Sequence, residues 1–235
     1  MAISLFKKGM PGVGFDAFGC PLKFRSFNEA RYKYLGIPED AVFYASLKSG
    51  RAVAETGQPL TVHGQTSYGK VDGVPCVYFN GTARMEFPDD DLPMGRDDRT
   101  MSCFVKLLSP GAMVFGYGGI YDDQAGGLSC IEIGGDGEIW FTGYQADLIS
   151  DGGIISIGNW YNIVTKLEDG REYIYVNSIQ VAEGSSRKNT KSAFGYMSGT
   201  EDLGGMFEGY LASCRVYDRA LTDEEIKALS KEFAI

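Results

Sequence analysis

The side chains that could do chemistry in this chain are carboxylates and aromatic rings set among glycines. There is one histidine, His63, so a Ser-His-Asp triad or a histidine-bearing zinc site has little to draw on. The run Tyr117-Gly118-Gly119-Ile120-Tyr121-Asp122-Asp123-Gln124 has the composition of a sugar site: rings to stack on the apolar side of a pyranose, and polar groups for its hydroxyls. Trp140 and Tyr144, with Gln145, follow one turn later and could line the same rim. The expected ligand-binding set is therefore Tyr117, Tyr121, Asp122, Asp123, Gln124, Trp140 and Tyr144. The competing reading puts Trp140, like Trp160, in a hydrophobic core.

Acidic clusters at Asp89-Asp90-Asp91, Asp97-Asp98 and Asp122-Asp123 are raw material for calcium, which takes six to eight oxygen ligands. None has EF-hand spacing. Asp122 and Asp123 are the preferred metal ligands, because Gly116, Gly118 and Gly119 would let backbone approach beside them. Calcium is the only cofactor the sequence suggests. A retaining glycosidase needs two carboxylates about 5–5.5 Å apart. The nearest candidate is Glu132-Ile133-Gly134-Gly135-Asp136-Gly137-Glu138, whose glycines read as a turn between the acids. Catalysis there is not expected, and glycoside hydrolysis is only a secondary alternative.

The elements that must carry these residues are strands. Met101, Cys103, Val105 and Leu107 alternate with Ser102, Phe104 and Lys106 across Thr100–Leu108, the period of a two-faced strand. Val42–Leu47, Pro59–His63, Val74–Phe79, Ala83–Phe87, Ala112–Tyr117, Leu128–Ile133, Glu138–Thr142, Trp160–Leu167, Arg171–Val176, Ile179–Glu183 and Tyr210–Tyr217 read the same way. Turns fall at Asp72-Gly73, Gly134–Gly137, Glu168-Asp169-Gly170 and Asn177-Ser178. Asn80-Gly81 between apolar runs predicts a hairpin. Thr222 with Glu225 three residues on, after which Ile226 begins an apolar face, is a capping box and marks a short C-terminal helix. The expectation is an all-β, two-sheet antiparallel jelly-roll sandwich over residues 41–235, with a short C-terminal helix and an irregular N-terminal arm over residues 1–40.

Four motifs carry a family resemblance. Gly158-Asn159-Trp160-Tyr161-Asn162-Ile163-Val164-Thr165, followed by Glu168-Asp169-Gly170 and Tyr173-Ile174-Tyr175-Val176-Asn177, resembles the "G-x-W-Y-H-I-V … DG … LYVNG" stretch of LamG-like, concanavalin A-like jelly rolls. Phe207-Glu208-Gly209-Tyr210-Leu211 and Arg215 through Ile226 resemble that family's closing strand and helix. Val77–Gly81 and Ser102–Lys106 resemble its "L-x-F-D-G" and "S-F-W-V-K" strands. The resemblance implies the sandwich fold and places Trp160 in a core motif. It covers about residues 41–235 and leaves function open among lectins, adhesion modules, hydrolase accessory domains and virion proteins. Ala212 and Ser213 stand where the family usually has acids, Ser178 replaces a glycine, and Gly134 replaces the middle acid of the hydrolases' E-I-D-x-x-E pattern.

Charge and cysteine usage narrow the partners. With 22 Lys+Arg against 31 Asp+Glu the net charge is −9, against phosphate-backbone binding. No run approaches the ~18 unbroken apolar residues of a membrane span. Cys20, Cys76, Cys103, Cys130 and Cys214 are an odd number without CxxC spacing, and four lie in strand-like runs; they read as small buried hydrophobes of a chain folded in the cytosol. The N-terminal residues lack a secretory leader's apolar stretch. The arm is basic (Lys7, Lys8, Lys23, Arg25, Arg31 and Lys33 against Asp16 and Glu29) and aromatic, with a short helix over Ser26–Leu35, and should pack on a partner protein or on its own domain. The expected function is non-catalytic recognition of a glycan or cell-surface polysaccharide, displayed on a bacteriophage virion or else at a cell surface. The structural alternative is a virion decoration protein docked through residues 1–40, and self-association stays open. His63 and Ser185–Asn189 read as a turn residue and a solvated loop.

Overall fold

The computed structural model describes residues 13–15, 21–23, 27–119, 125–199 and 205–233. In chain order the elements are β1 (Val13–Phe15), β2 (Pro21–Lys23), α1 (Phe27–Leu35), β3 (Phe43–Ala45), β4 (Thr61–His63), β5 (Thr66–Val71), β6 (Val74–Asn80), β7 (Arg84–Phe87) and β8 (Arg99–Leu107). They continue with β9 (Ala112–Gly118), β10 (Leu128–Ile133), β11 (Ile139–Thr142), β12 (Leu148–Ile149), β13 (Trp160–Glu168), β14 (Arg171–Val176), β15 (Ile179–Ser185), β16 (Gly195–Met197), β17 (Glu208–Tyr217) and α2 (Asp223–Leu229).

One sheet has seven strands in the order β12-β11-β10-β9-β16-β7-β4. The other has eight, in the order β15-β14-β13-β8-β17-β6-β5 with β3 also on β17, and β1 and β2 form a separate pair. The two large sheets face each other across one core, in which Met101, Cys103, Val105 and Leu107 meet Phe115, Ile131, Phe141 and Met197. The expected sandwich is the observed one. Tight turns with two residues at positive φ, Asp72/Gly73, Asp169/Gly170 and Asn177/Ser178, twist the chain as two-residue hairpins require.

The Asn80-Gly81 hairpin is a correction. β6 and β7 lie in different sheets, so this turn carries the chain across the sandwich. Only Gly81 has positive φ, while Asn80 Oδ1 accepts the amides of Thr82 and Ala83 (both 3.1 Å). That side chain-to-backbone turn swings the strand away from its predecessor instead of folding it back.

The outer face of the eight-stranded sheet is covered as well. Ile226, Ala228 and Leu229 of α2 pack on Val164, Tyr175 and Tyr217, and Phe233 packs with Trp160 over Phe104 and Ala212. Trp160, expected in the core, therefore stacks on Phe104 outside the sheet, ring centroids 5.2 Å apart. The capping box is present: Glu225 N donates to Thr222 Oγ1 and Thr222 N to Glu225 Oε2 (2.9 Å). Thr222→Ala should cost about 1 kcal/mol in a denaturant titration, with the slope unchanged.

Residues 31–40 of the expected arm pack on the domain itself. Ile37 is buried in the α2 cluster, Tyr32 Oη bonds the hydroxyl of Tyr44 and Glu232 Oε1, and Arg31 donates to the Glu232 carbonyl. Beneath them Arg215 and Glu232 form a buried two-point ion pair (2.6 and 2.8 Å), with the Arg215 guanidinium over the Tyr44 ring at 4.0 Å. Residues 1–12, 16–20 and 24–26 lie outside the described residues, Cys20 among them. The other four cysteines are buried and free, as expected. Among the described residues no helix is long and apolar enough to cross a membrane.

Candidate functional site

Three of the seven predicted ligand residues lie on described elements, and they separate. Tyr117 is a correction: it sits in β9 with its side chain fully buried, its hydroxyl donating to Pro93 O (2.8 Å) and accepting from Arg99 Nη1 (3.1 Å). A ring with no exposed face cannot stack on a sugar. Tyr121, Asp122, Asp123 and Gln124, including both predicted metal ligands, lie outside the described residues.

Trp140 and Tyr144 are on the outer side of the seven-stranded sheet. Ile139 and Phe141 point into the core, so period-2 alternation turns Trp140 outward with Glu138 and Thr142. Across the sheet Trp140 stands opposite Glu132 on β10 and Ile149 on β12, and Thr142 stands opposite Cys130. The indole is half-buried, and Nε1 donates to Glu138 Oε1 at 3.2 Å. Glu138 Oε2 accepts the amide of Asp136 (2.9 Å), which closes the glycine turn around the carboxylate. Gly134 leaves the room: a Cβ there would sit 2.0 Å from Glu138 Oε1. A register shift between Ile131 and Glu132, where β10 meets β9, re-aims the end of the strand that carries Glu132.

The two glutamates are held in opposite senses. Burial pushes the half-buried Glu132 above the usual carboxylate range, against one hydrogen bond from Thr142 Oγ1 to Oε2 (2.9 Å). Hydrogen bonds from its own amide, from Trp140 and from Asp136 N keep Glu138 below that range despite some desolvation. Because Glu138 Oε2 shapes the turn and Oε1 holds the indole, its low value reflects a structural clasp. Tyr144 has left-handed φ (56°) and packs on Leu128, Cys130 and Tyr196, while its carbonyl accepts Gly126 N (2.9 Å). It braces the segment after residue 124 and edges the Trp140 face.

The other candidates have structural partners. Buried Asp89 accepts Ser192 Oγ (2.8 Å) and Ala193 N (2.9 Å), and Asp98 Oδ1 accepts Asp169 N (2.9 Å). Among the described residues no three His, Cys, Asp or Glu side chains converge as a metal site. His63, read as a turn residue, ends β4 with Glu86 Oε2 of the adjoining strand 2.9 Å away. The solvated-loop reading of Ser185–Asn189 fails at Lys188, which is fully buried with its ammonium donating to Phe141 O (2.7 Å) and Ala146 O (2.9 Å). Nothing in the local sequence marks it. Trp140 was legible: Glu138 and Thr142 on its parity already give its face a polar character.

Two antiparallel layers with a short closing helix make the architecture of a jelly-roll sandwich. Residues 79–227 match the Laminin_G_3 family of the concanavalin A-like lectin/glucanases superfamily, and the chain belongs to that family. No curated protein matches it in sequence. Solved structures share the fold at low identity. Domain 4 of AbnA, a GH43 extracellular arabinanase from Geobacillus stearothermophilus solved in complex with arabinotriose, superposes with TM-score 0.65 at 18% identity, covering 81% of this chain and 98% of that one. The binding domain of Paraclostridial Mosquitocidal Protein 1 gives TM-score 0.65 at 14% identity, covering 83% of this chain and 52% of that one. The receptor-binding domain of botulinum neurotoxin type G gives 0.61 at 14% identity, covering 82% and 51%. The chain thus spans about half the length of these last two domains.

Proposed function

We propose that this domain is a non-catalytic glycan-binding module whose ligand lies across the outer face of the seven-stranded sheet at Trp140. The observation that carries the reading is the half-exposed indole, fixed through its N–H to Glu138 and flanked across the sheet by Glu132 and Ile149. An oriented aromatic surface beside carboxylate acceptors suits a sugar ring, with C–H groups on the indole and hydroxyls donating to Glu132. The likeness to a domain solved with arabinotriose and to toxin binding domains supports the same reading. Against hydrolysis stands Glu138, whose carboxylate is held by the Asp136 amide and the Trp140 N–H.

The test is calorimetric titration against soluble oligosaccharides, arabinotriose and ganglioside headgroups included. Trp140→Ala should weaken binding at least tenfold, about 1.4 kcal/mol, while the unfolding midpoint stays within a few degrees. A panel with no binder, or binding indifferent to this change, refutes the reading. Release of reducing ends that Glu132→Gln abolishes would replace it with an enzyme.

A further inference from the structure

On the opposite side of the sandwich, the β14–β15 hairpin and α2 border an open depression of about 390 Å³ lined by Tyr175, Ser178, Gln180, Asp223, Glu224 and Lys227. That volume lies within the range of small-ligand sites. Both walls are rigid. Ile174 and Val176 anchor the hairpin in the inter-sheet core, and the capping box locks the first turn of α2.

The floor is Tyr175, buried to 5% exposure, with its hydroxyl 3.4 Å from Asp223 Oδ1, longer than a good O–H···O bond. Its hydroxyl lies between that carboxylate and the Lys166 ammonium, which also hydrogen-bonds it. Lys166 lies against the same floor, its ammonium 4.8 Å from the Tyr173 ring and 5.9 Å from the Tyr175 ring. On the rim Ser178 has φ 70°, a left-handed conformation in which glycine is unstrained and serine is not. The two-residue β14–β15 turn requires that conformation, and Ser178 lines the rim in it.

The lining chooses the ligand. An anion would face the Asp223 and Glu224 carboxylates, and a cation would face Lys227. Ser178, Gln180 and Tyr175 supply groups that donate and accept alike, apart from the donor-only ammonium and acceptor-only carboxylates. Neutral vicinal hydroxyls, which also donate and accept at once, match this set.

We propose that this depression is a second saccharide site, binding a neutral sugar unit through its hydroxyls, so that one domain holds two glycan chains on opposite faces. Only the ligand class rests on the glycan-binding reading above; the site itself does not need Trp140.

The experiment is a ¹⁵N NMR titration of the full chain with millimolar arabinotriose, cellotriose and methyl galactoside. At least one probe should shift the Ser178 and Lys227 backbone amides and the Gln180 side-chain amide, and should do so equally in Trp140→Ala. Gln180→Ala should weaken that response at least threefold. Ser178→Gly should weaken it similarly without lowering Tm, because glycine suits the left-handed turn. Shifts around Trp140 with none at 175–180 and 223–227 would overturn the second site and leave the first standing. Silence in both regions with every probe would overturn both, and shifts at 175–180 alone would sustain this site and remove the Trp140 reading.

Discussion

Lys188→Met should cost about 3–5 kcal/mol of stability, the usual result of stripping one partner from a buried ion pair. Lys188 Nζ lies 3.4 Å from Glu172 Oε2, and both side chains are buried, at 0% and 2% exposure. Methionine would fill much of the volume but leave the Glu172 carboxylate, among the described residues, with Ser186 Oγ at 2.6 Å as its remaining side-chain donor. It would also strand the Phe141 and Ala146 carbonyls that the ammonium now joins. Between them these contacts tie the 185–189 segment to β11 and β14 at the edge of the sandwich.

Lys188 also carries a pH signature. Burial lowers its pKa to about 8, against the Coulomb attraction of Glu172. The folded chain therefore releases this proton near pH 8, whereas an unfolded lysine keeps it to about 10.4. Between those values the unfolded state binds more protons, so this residue's contribution to stability rises with pH, by up to about 1.4 kcal/mol per unit. Wild-type stability alone would hide the effect. The buried Cys103, Cys130 and Cys214 thiols, pushed up by desolvation, stay protonated when folded and oppose it. Chemical denaturation of wild type and Lys188→Met in parallel removes that background, and the gap between them should widen from pH 8 to pH 10. A gap under 1 kcal/mol at pH 7, or one that narrows with pH, would contradict the assignment.

Lys188 shows where sequence reading stops. A lysine in Ser-Ser-Arg-Lys-Asn looks solvated because nothing local reveals which carbonyls will converge on it. The same blindness affected Tyr117. Every residue of β9 is buried, since the second sheet covers one face, and Met113 joins a satellite cluster with Leu128, Cys130 and Tyr196 on the other. A strand covered on both sides loses the alternation that would say which way a tyrosine points. Legibility was good where the determinant is local: the alternation of β8, the two-residue turns at Asp72-Gly73 and Asp169-Gly170, and the Thr222–Glu225 cap. Asn80-Gly81 failed for a subtler reason. The dipeptide announces a reversal, but the Asn80 side chain decides whether the next strand returns to the same sheet. Of the predicted ligand set, Trp140 lies half-buried on the outer side of its sheet, a side that the polar residues at ±2 mark in the sequence.

Arg99→Met should be about as damaging as the lysine change, near 4 kcal/mol, and its effect should be concentrated at one end of the sandwich. Arg99 opens β8 and is fully buried, and among the described residues no carboxylate is one of its hydrogen-bond partners. Its Nε donates to Asp97 O and its Nη2 to Met94 O and Gly95 O, while Nη1 reaches Pro93 O, Tyr117 Oη, Ser129 Oγ and Thr190 Oγ1. A single planar fork thus gathers the 93–97 turn, β9, β10 and the 188–191 segment. Removing it takes one donor from each of these seven acceptors. The Pro93, Met94 and Gly95 carbonyls keep Tyr117 Oη, Asp97 N and Thr190 N. The cost therefore lies in the Asp97 carbonyl and in the hydroxyls left around an apolar side chain, at about 1–3 kcal/mol for each that water cannot reach. Lysine offers one point donor in place of the fork, so Arg99→Lys should recover less than half of the loss. Hydrogen exchange is the discriminating measurement. Amides of Gly95, Gly118, Thr190 and Lys191, now bonded across these segments, should lose protection before those of β13 and β14. The Trp140 face, at β10–β12, should keep its ligand affinity in the folded variant. Uniform loss of protection across both sheets would mean that Arg99 supports the whole core and does not pin this end alone.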